Sequence, residues 1–515
     1  MIRSIALVTT GTLASRLTGF LRDALVAALL GAGAAADAFL VAFQLVTLIR
    51  RLLTEGALNA AFVPAWLQVR DARGEAAASA FAGRALGTIG LGVALIALVL
   101  GVIAPPVIGL LAPGFVGQEA LGIAVTDARL MLPYLAFAGP VAVMIALANA
   151  QRRVALSSTA PVLFNMALIA AMAVLLVNAT DASRAAWIVA ATVGIAGLLQ
   201  LAMLASANRG ASPIRFGLDD DMRALLRRAV PGMIASAGPQ MLVVAGAVMA
   251  SRVPSGVSWL YFASRLIDLP LGMVSTISGA VLVTVASHAA NDAAAARTAQ
   301  AHAVGVAMAL ALPAAVGLFV LAEPIVQAVF ARGAFTASDA EATARVLQML
   351  ALGLPAQALA KALSPSFYAR GDTMTPMLAT LVGLAVGWLG AFASHDVASI
   401  AAAISLGGSV GAAVLLLHSG KFFMGDARLI PIAFASLAMG AGLVLARSYF
   451  APNATVVLPV AALIAAGLAI NVCALLAFGA LRPAEIRAAW RRRDLREGGS
   501  HGKGTPAQRA QDVSK

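Results

Sequence analysis

Arg16, Arg22 and Asp23 stand in the stretch SRLTGFLRD (15–23), inside a run from Ile5 to Gly31 that is otherwise apolar. A second such run, 36–66, carries Asp37, Arg50, Arg51 and Glu55, and a third, 257–286, carries Arg265 and Asp268. Lys361 sits late in a further run, 343–368. A charge at membrane depth costs at least ~2.5 kcal/mol on insertion scales, so such groups face a wet cavity or one another. Asp23 lies nearly on the helical face of Arg16, and Arg22 about 120° round, so all three can point into one broad cavity. Arg51 and Glu55 are spaced to pair along a helix, and Arg265 and Asp268 share a face. The set is biased toward arginine, which keeps its charge at any pH and grips phosphate through a planar fork. The chemistry such a set can do is to hold a phosphate or diphosphate anion. The competing reading has the arginines snorkelling to headgroups or neutralising nearby acids, and it stays most open for Arg50 and Arg51.

These groups need helices to carry them. The chain has 515 residues, 61% hydrophobic and 11% charged. A soluble protein carries about 25% charged residues, and this chain has too little charge to cover itself with a water-compatible surface. Apolar runs recur along it, which predicts an all-α polytopic membrane protein of about 14 spans. The alternating strands of a barrel are not seen. The charged first run is expected to be a retained span rather than a cleaved leader, because Arg16 and Arg22 interrupt its apolar core. The formal charge of +13 is read as basic cytoplasmic loops, not as a nucleic-acid surface. With the N-terminus inside, roughly 24 of the 36 Lys and Arg fall in the cytoplasm, about 6 outside and about 6 within spans. Both termini are then cytoplasmic. Cys473, the single cysteine, permits no intrachain disulfide and is expected to face lipid or be packed. The acidic run DDDM, Asp219–Met222, reads as a solvated charge run.

Three pairs of stretches recur in order at an offset close to 216 residues, with small gaps. APPVIGLLAPGF (104–115) resembles AEPIVQAVFARGAF (322–335); ARLMLPYLAFAGP (128–140) resembles ARVLQMLALGLP (344–355); STAPVLFNMAL (158–168) resembles TMTPMLATLVGL (373–384). A constant offset is the mark of duplication. It equals six spans, an even number, so the two copies share orientation about an axis along the membrane normal, and a pair of six-helix lobes encloses a central cavity. The expected division is an N-lobe (1–215), a C-lobe (216–425), two added spans (426–482) and a basic cytoplasmic tail (483–515), partly disordered and held near anionic lipid.

No GxxxxGK[ST] loop, HExxH or Ser/His/Asp set occurs in the sequence, so no ATP hydrolysis or metal site is expected; a membrane transferase would need acidic metal ligands near the membrane surface, for which 219–222 is the only acidic cluster. The stretches SRLTGFLRD (15–23), ADAFLVAFQLVTLIRRLLTEGALNAAFVP (36–64), LLAPGF (110–115), RLMLPYLAF (129–137), APVLFN (160–165), SRLIDLPLG (264–272), VFARGAFTASD (329–339) and FYARGDTMTP (367–376) together resemble the MurJ (MviN) lipid II flippase family of the MOP exporter superfamily. The sequence departs from the family pattern at GALNAAFVP, where GAFSQAFVP is usual, and at YARGDTMTP, where YARQDTKTP is usual. The resemblance implies fourteen spans in two six-helix lobes, with the last two spans forming a groove for a lipid tail. It implies a transporter rather than an enzyme, flipping lipid II (undecaprenyl diphosphate bearing the peptidoglycan disaccharide-pentapeptide) from the cytoplasmic to the periplasmic leaflet of the bacterial inner membrane by alternating access. It implies that Arg16, Arg22, Arg50, Arg51 and Arg265 line a cationic substrate cavity, and that Asp23, Asp37, Glu55 and Asp268 serve gating pairs or cavity polarity. No cofactor is expected. Membrane potential, Na+ or H+ remain open as driving force, since Asp396 at the edge of span 11 is the nearest acid to spans 7, 11 and 12. Partners are lipid II and membrane lipids, no nucleic acid, with other cell-wall synthesis proteins left open for the basic tail. The alternatives are a flippase for another lipid-linked oligosaccharide or a multidrug antiporter of the same superfamily. A cation exporter should place acids and aromatics in its cavity, whereas aromatics are 6% here.

Overall fold

The computed structural model describes residues 2–54, 57–178, 180–207, 214–289, 293–419, 428–450 and 457–479. Glu55 and the basic tail from 480 lie outside the described residues. The first half comprises α1 (Ile2–Leu30), α2 (Ala34–Thr54), α3 (Ala57–Arg73), α4 (Glu75–Val102), α5 (Ala104–Leu111), α6 (Glu119–Met131), α7 (Pro133–Ala150), α8 (Val154–Val177) and α9 (Ala182–Ala207). The second comprises α10 (Asp220–Ala250), α11 (Gly256–Ala289), α12 (Ala293–Val320), α13 (Ala322–Phe330), α14 (Ala337–Ala369), α15 (Met374–Phe392) and α16 (Val397–Ser419). Two further helices follow, α17 (Leu429–Phe450) and α18 (Val457–Ala477). No strand occurs among the described residues.

Among the described residues, ten segments are long and apolar enough to cross a membrane. α1 and α2 fall outside that set. Arg16, Arg22 and Asp23 break the apolarity of α1, as Asp37, Arg50 and Arg51 break that of α2. Elsewhere large apolar side chains point outward, among them Leu110, Val177, Leu389 and Leu417. Such a belt would be an aggregation surface in water and is a solvated surface in lipid.

The repeat is legible as repeated packing. In the first half α1 packs on α8, α8 on α9, α9 on α7, α7 on α4, and α2 on α6. In the second α10 packs on α15, α15 on α16, α16 on α14, α14 on α12, and α11 on α14. Each lobe interrupts its third span at the same place: α4 ends at Val102 and α5 follows, while α12 ends at Val320 and α13 follows. Phe115 and Phe335, which close the matching sequence stretches, are both buried. The lobes differ in the next span, which breaks at Leu132 between α6 and α7 but runs unbroken as α14.

Helices in lipid gain little from hydrophobicity against one another, so close approach of small residues does the packing. Gly383 and Gly387 on α15 meet Gly407 and Gly411 on α16, and a Cβ on Gly383 would lie 2.6 Å from the Gly407 carbonyl oxygen. α17 packs on α12, and Arg447 of α17 pairs with Glu323 of α13 at 2.6 Å. Cys473 is exposed on α18.

The acidic run 219–221 is not a merely solvated face. Arg215 N–H donates to the Gly83 carbonyl (3.1 Å) and Thr88 Oγ1 to the Gly217 carbonyl (3.1 Å), which folds the connection between the lobes against the start of α4. Asp219 then caps α10 through the Met222 N–H and pairs with Arg84 at 2.9 Å, while Asp221 pairs with Arg73. Asp220 alone remains fully exposed.

Candidate anion site between the lobes

Asp23 is 3% exposed. Its Oδ1 accepts from Arg22 Nε (3.0 Å), Arg22 Nη2 (2.7 Å) and Tyr261 Oη (3.1 Å). Its Oδ2 faces Arg265 Nε at 3.5 Å, an ion-pair distance rather than a hydrogen bond. Arg265 lies over the Tyr261 ring, 4.4 Å from its centroid, and donates through Nη1 to Asp268 Oδ2 at 3.1 Å. Charges of alternating sign thus run Arg22–Asp23–Arg265–Asp268 from α1 in one lobe to α11 in the other. On α11 the three-residue spacing puts Arg265 and Asp268 on one face. On α1 the neighbours Arg22 and Asp23 meet because Arg22 is held from two sides. Phe43 of α2 lies 5.1 Å beneath the guanidinium, and Asn165 of α8 accepts from Nη1 at 2.9 Å. Asn165 is itself fixed to α1, donating to the Ser15 carbonyl and to Thr18 Oγ1, each at 3.2 Å.

A cavity of about 130 Å³ lies between α2, α10, α11, α14 and α16, with Gln44, Arg51, Tyr261, Arg265, Asp268 and Gln357 in its wall. Arg22 and Asp23 line a smaller space behind Tyr261. The structure therefore brings together Arg22, Asp23, Arg51, Arg265 and Asp268. It places Arg16 further along α11, where Nη2 donates to the Gly272 carbonyl at 3.2 Å and the guanidinium occupies the space any side chain at 272 would need. Lys361 Nζ donates to Ser275 Oγ nearby, at 2.8 Å. Arg50, one residue along α2, lies near the buried Tyr134 of its own lobe.

Asp37 is also apart from this group. It is 3% exposed and accepts from the N–H of Ser258 (2.8 Å) and from its hydroxyl, at the first turn of α11. Around it the lobes are sealed. Ala334 N–H donates to the Ala28 carbonyl (2.8 Å), Ser255 Oγ to the Ala32 carbonyl (3.2 Å), and Gly114 N–H to Ser251 Oγ (3.2 Å). Gly31 and Gly333 take positive φ at this junction, and a Cβ on Gly31 would meet the Ala334 carbonyl oxygen at 2.5 Å. Sequence reasoning missed Tyr261, Asn165 and Ser258 as partners. Asn165 had a signal, being a lone amide at the end of APVLFN in an apolar run. Tyr261, in the charged run of α11, had little.

The fold and site define a class: a two-lobed helical membrane protein with an arginine-bearing cavity between its lobes. A solved lipid II flippase MurJ in an inward closed conformation superposes with TM-score 0.79 at 21% identity, covering 92% of this chain and 98% of that one. An inward-facing multidrug resistance MATE transporter of the MOP superfamily superposes with TM-score 0.64 at 16% identity, covering 81% and 95%. In sequence, the lipid II flippase MurJ family profile matches residues 26–465. A probable lipid II flippase MurJ of Rhizobium meliloti (strain 1021) is 34% identical over 520 residues, covering 96% of each chain. The lipid II flippase MurJ of Burkholderia cenocepacia is 31% identical over 392 residues, covering 73% of this chain and 75% of that one. This chain belongs to the MurJ lipid II flippase family.

Proposed function

We propose that this protein carries lipid II from the cytoplasmic to the periplasmic leaflet of a bacterial inner membrane, by alternating access of the two lobes. The observation that carries the reading is the family match along nearly the whole chain, joined to an arginine-bearing cavity at the lobe interface. A diphosphate cannot cross hydrocarbon unaided at a useful rate, because burying unpaired charge is too costly. The orientation with both termini in the cytoplasm follows from the Lys/Arg distribution and makes the sealed end periplasmic.

In the sealed state Asp23 holds Arg22 and Arg265 together across the lobes. The diphosphate head enters from the cytoplasm and competes with Asp23 and Asp268 for Arg22, Arg51 and Arg265, while Arg16 and Lys361 meet it nearer the entrance. Phosphate oxygens accept the forks that the carboxylates release, and the α1–α11 bridge through Asp23 opens. When the lobes part on the other side, the arginines of α1 and α11 separate and the anion loses part of its partners. Binding is therefore stronger in one state than in the other, as transport requires. The polyprenyl tail stays in lipid and slides along α17 and α18. Neither ATP nor a catalytic group takes part. A cation exporter of the same architecture would present acids without arginine partners to its cavity, whereas Asp23 and Asp268 are both held by arginine.

The test is expression in bacteria depleted of their own lipid II flippase, with the lipid II accessible on the outer face of the inner membrane as the readout. Restored accessibility is the expected result. A folded, inserted protein that restores none would overturn the substrate assignment and leave the fold standing.

A further inference from the structure

The buried acids among the described residues are Asp23, Asp37, Asp127 and Asp339. Asp23 is held by Arg22 and Tyr261, Asp37 by Ser258, and Asp339 by Thr336 and Trp259. Asp127 differs: it is 0% exposed, and neither of its carboxyl oxygens has a hydrogen-bond partner. It lies on α6, about 12 Å of helix from Glu119, among the buried Ala120, Ala124, Ala128 and Met131.

The charged and titratable groups around it are accounted for. On α6, Glu119 stands in the first turn and Arg129 donates to the Gly101 carbonyl. Of the helices packed on α6, α5 carries no titratable side chain. α7 carries Tyr134, whose hydroxyl donates to Gln200. α9 carries Arg184 near its start. α2 carries Asp37, bound to Ser258 at the seal, and Arg50 and Arg51 toward its far end. None of these forms a salt bridge or hydrogen bond with Asp127. An ionised carboxylate in such a place is too costly without a counter-charge, and an unpaired acid inside a membrane protein marks an ion pathway or a proton relay by default. A metal ion would need several oxygen ligands, and no group of three or more His, Cys, Asp or Glu that could hold one occurs among the described residues.

We infer that Asp127 is a proton-binding site, filled while the lobes are sealed and emptied when the seal opens. The coupling runs through α2, which packs along α6 and carries Asp37 into the seal. Parting of the seal moves α2 and admits water to α6. The carboxyl then loses its proton to that water, and it must take one back from the same side before α2 can settle again. The bond made and broken is the O–H of the carboxyl, and no other reactant is needed. Because the proton leaves and returns on the same side, it gates resealing and does no work across the membrane. The inference rests on the transport reading for its role in turnover but not for the proton site itself.

Two measurements on the full-length protein test it. In the first, purified protein without lipid II is titrated by infrared difference spectroscopy. A protonated-carboxyl C=O band is expected in the wild type and lost in Asp127→Asn, and an unchanged band in that variant would overturn the assignment. In the second, lipid II flipping in proteoliposomes is measured against pH on the sealed side. The wild-type rate should fall as the pH rises, because the unprotonated carboxylate resists resealing, whereas Asp127→Asn should give a flat profile. A variant with the wild-type pH profile would sink the coupling role. If Asp127→Asn fails to insert, Asp127→Glu keeps the carboxyl and must shift the profile, and an unshifted one counts against the proposal. Absence of flipping in the wild type would instead count against the substrate reading, with the infrared result still deciding the proton site.

Discussion

At the sealed end the lobes are joined through backbone: Ala334 N–H to the Ala28 carbonyl, Ser255 to the Ala32 carbonyl, and Ser258 N–H to Asp37. Further along α1 and α11 they are joined through side-chain charges, Arg22 to Asp23 to Arg265. The two junctions differ in what can open them. On the proposed exchange, an anion of the right shape replaces Asp23 on the arginines without moving either helix far. No small ligand offers a substitute for a carbonyl at the seal, where parting requires the lobes to move as bodies. A carrier needs both kinds, one that the cargo can break and one that only motion can break. The two also differ in how they tolerate change. The seal depends on glycine at positive φ and on close backbone approach at Gly31 and Gly333. The charge chain depends on residue type and on the groups that orient it.

The comparison can be broken most completely at the seal. With Cys473 first replaced by alanine, Ala28→Cys and Ala334→Cys joined by a short thiol cross-linker should stop flipping altogether, and a cleavable linker should restore it on reduction. Flipping that continues in the cross-linked protein would show that the seal need not open. Next in size is Arg22→Ala, which removes charge-assisted bonds of about 1.5–3 kcal/mol and should slow flipping by roughly 10- to 100-fold. Membrane insertion, followed by detergent-extracted yield, should be unchanged. Asp23→Asn attacks the bridge from the other side. It leaves Arg22 without a carboxylate and Arg265 with Asp268 alone, so lipid II should bind more tightly in a pull-down while flipping slows by about tenfold, as expected when about 1.4 kcal/mol is moved from turnover into binding. Faster flipping in that variant would remove Asp23 from the exchange scheme.

Smaller effects sharpen the contrast. Asn165→Ala removes one bond to Arg22, about 1 kcal/mol, and should slow flipping about fivefold with the fold intact by thermal melting; an effect as large as that of Arg22→Ala would mean Asn165 touches the cargo. Arg73→Ala breaks the pair with Asp221 at the connection between the lobes, worth about 0–1 kcal/mol. It should leave flipping within about twofold of the wild type in the same assay.

Much of this was written in local sequence. Apolar runs, broken by Arg16, Arg22 and Asp23 in one place and by Arg265 and Asp268 in another, dictate buried charge, because lipid offers no other solvent for it. The offset between 104–115 and 322–335 dictated matching breaks in two lobes, since the same local pattern folds the same way twice. Those are properties of residue type and spacing along one helix. Which helices face each other is not. Tyr261 became a partner of Asp23 and Arg50 a neighbour of Tyr134 only because α11 and α7 pack where they do. The acids at 219–221 found Arg73 and Arg84 only because the connection folds back on α4. The sequence by itself determined that this protein carries charges into a membrane and in what order along each helix. Tertiary structure alone decided which of them meet, because a contact between lobes depends on the packing of many apolar surfaces at once and leaves no mark at the residues it joins.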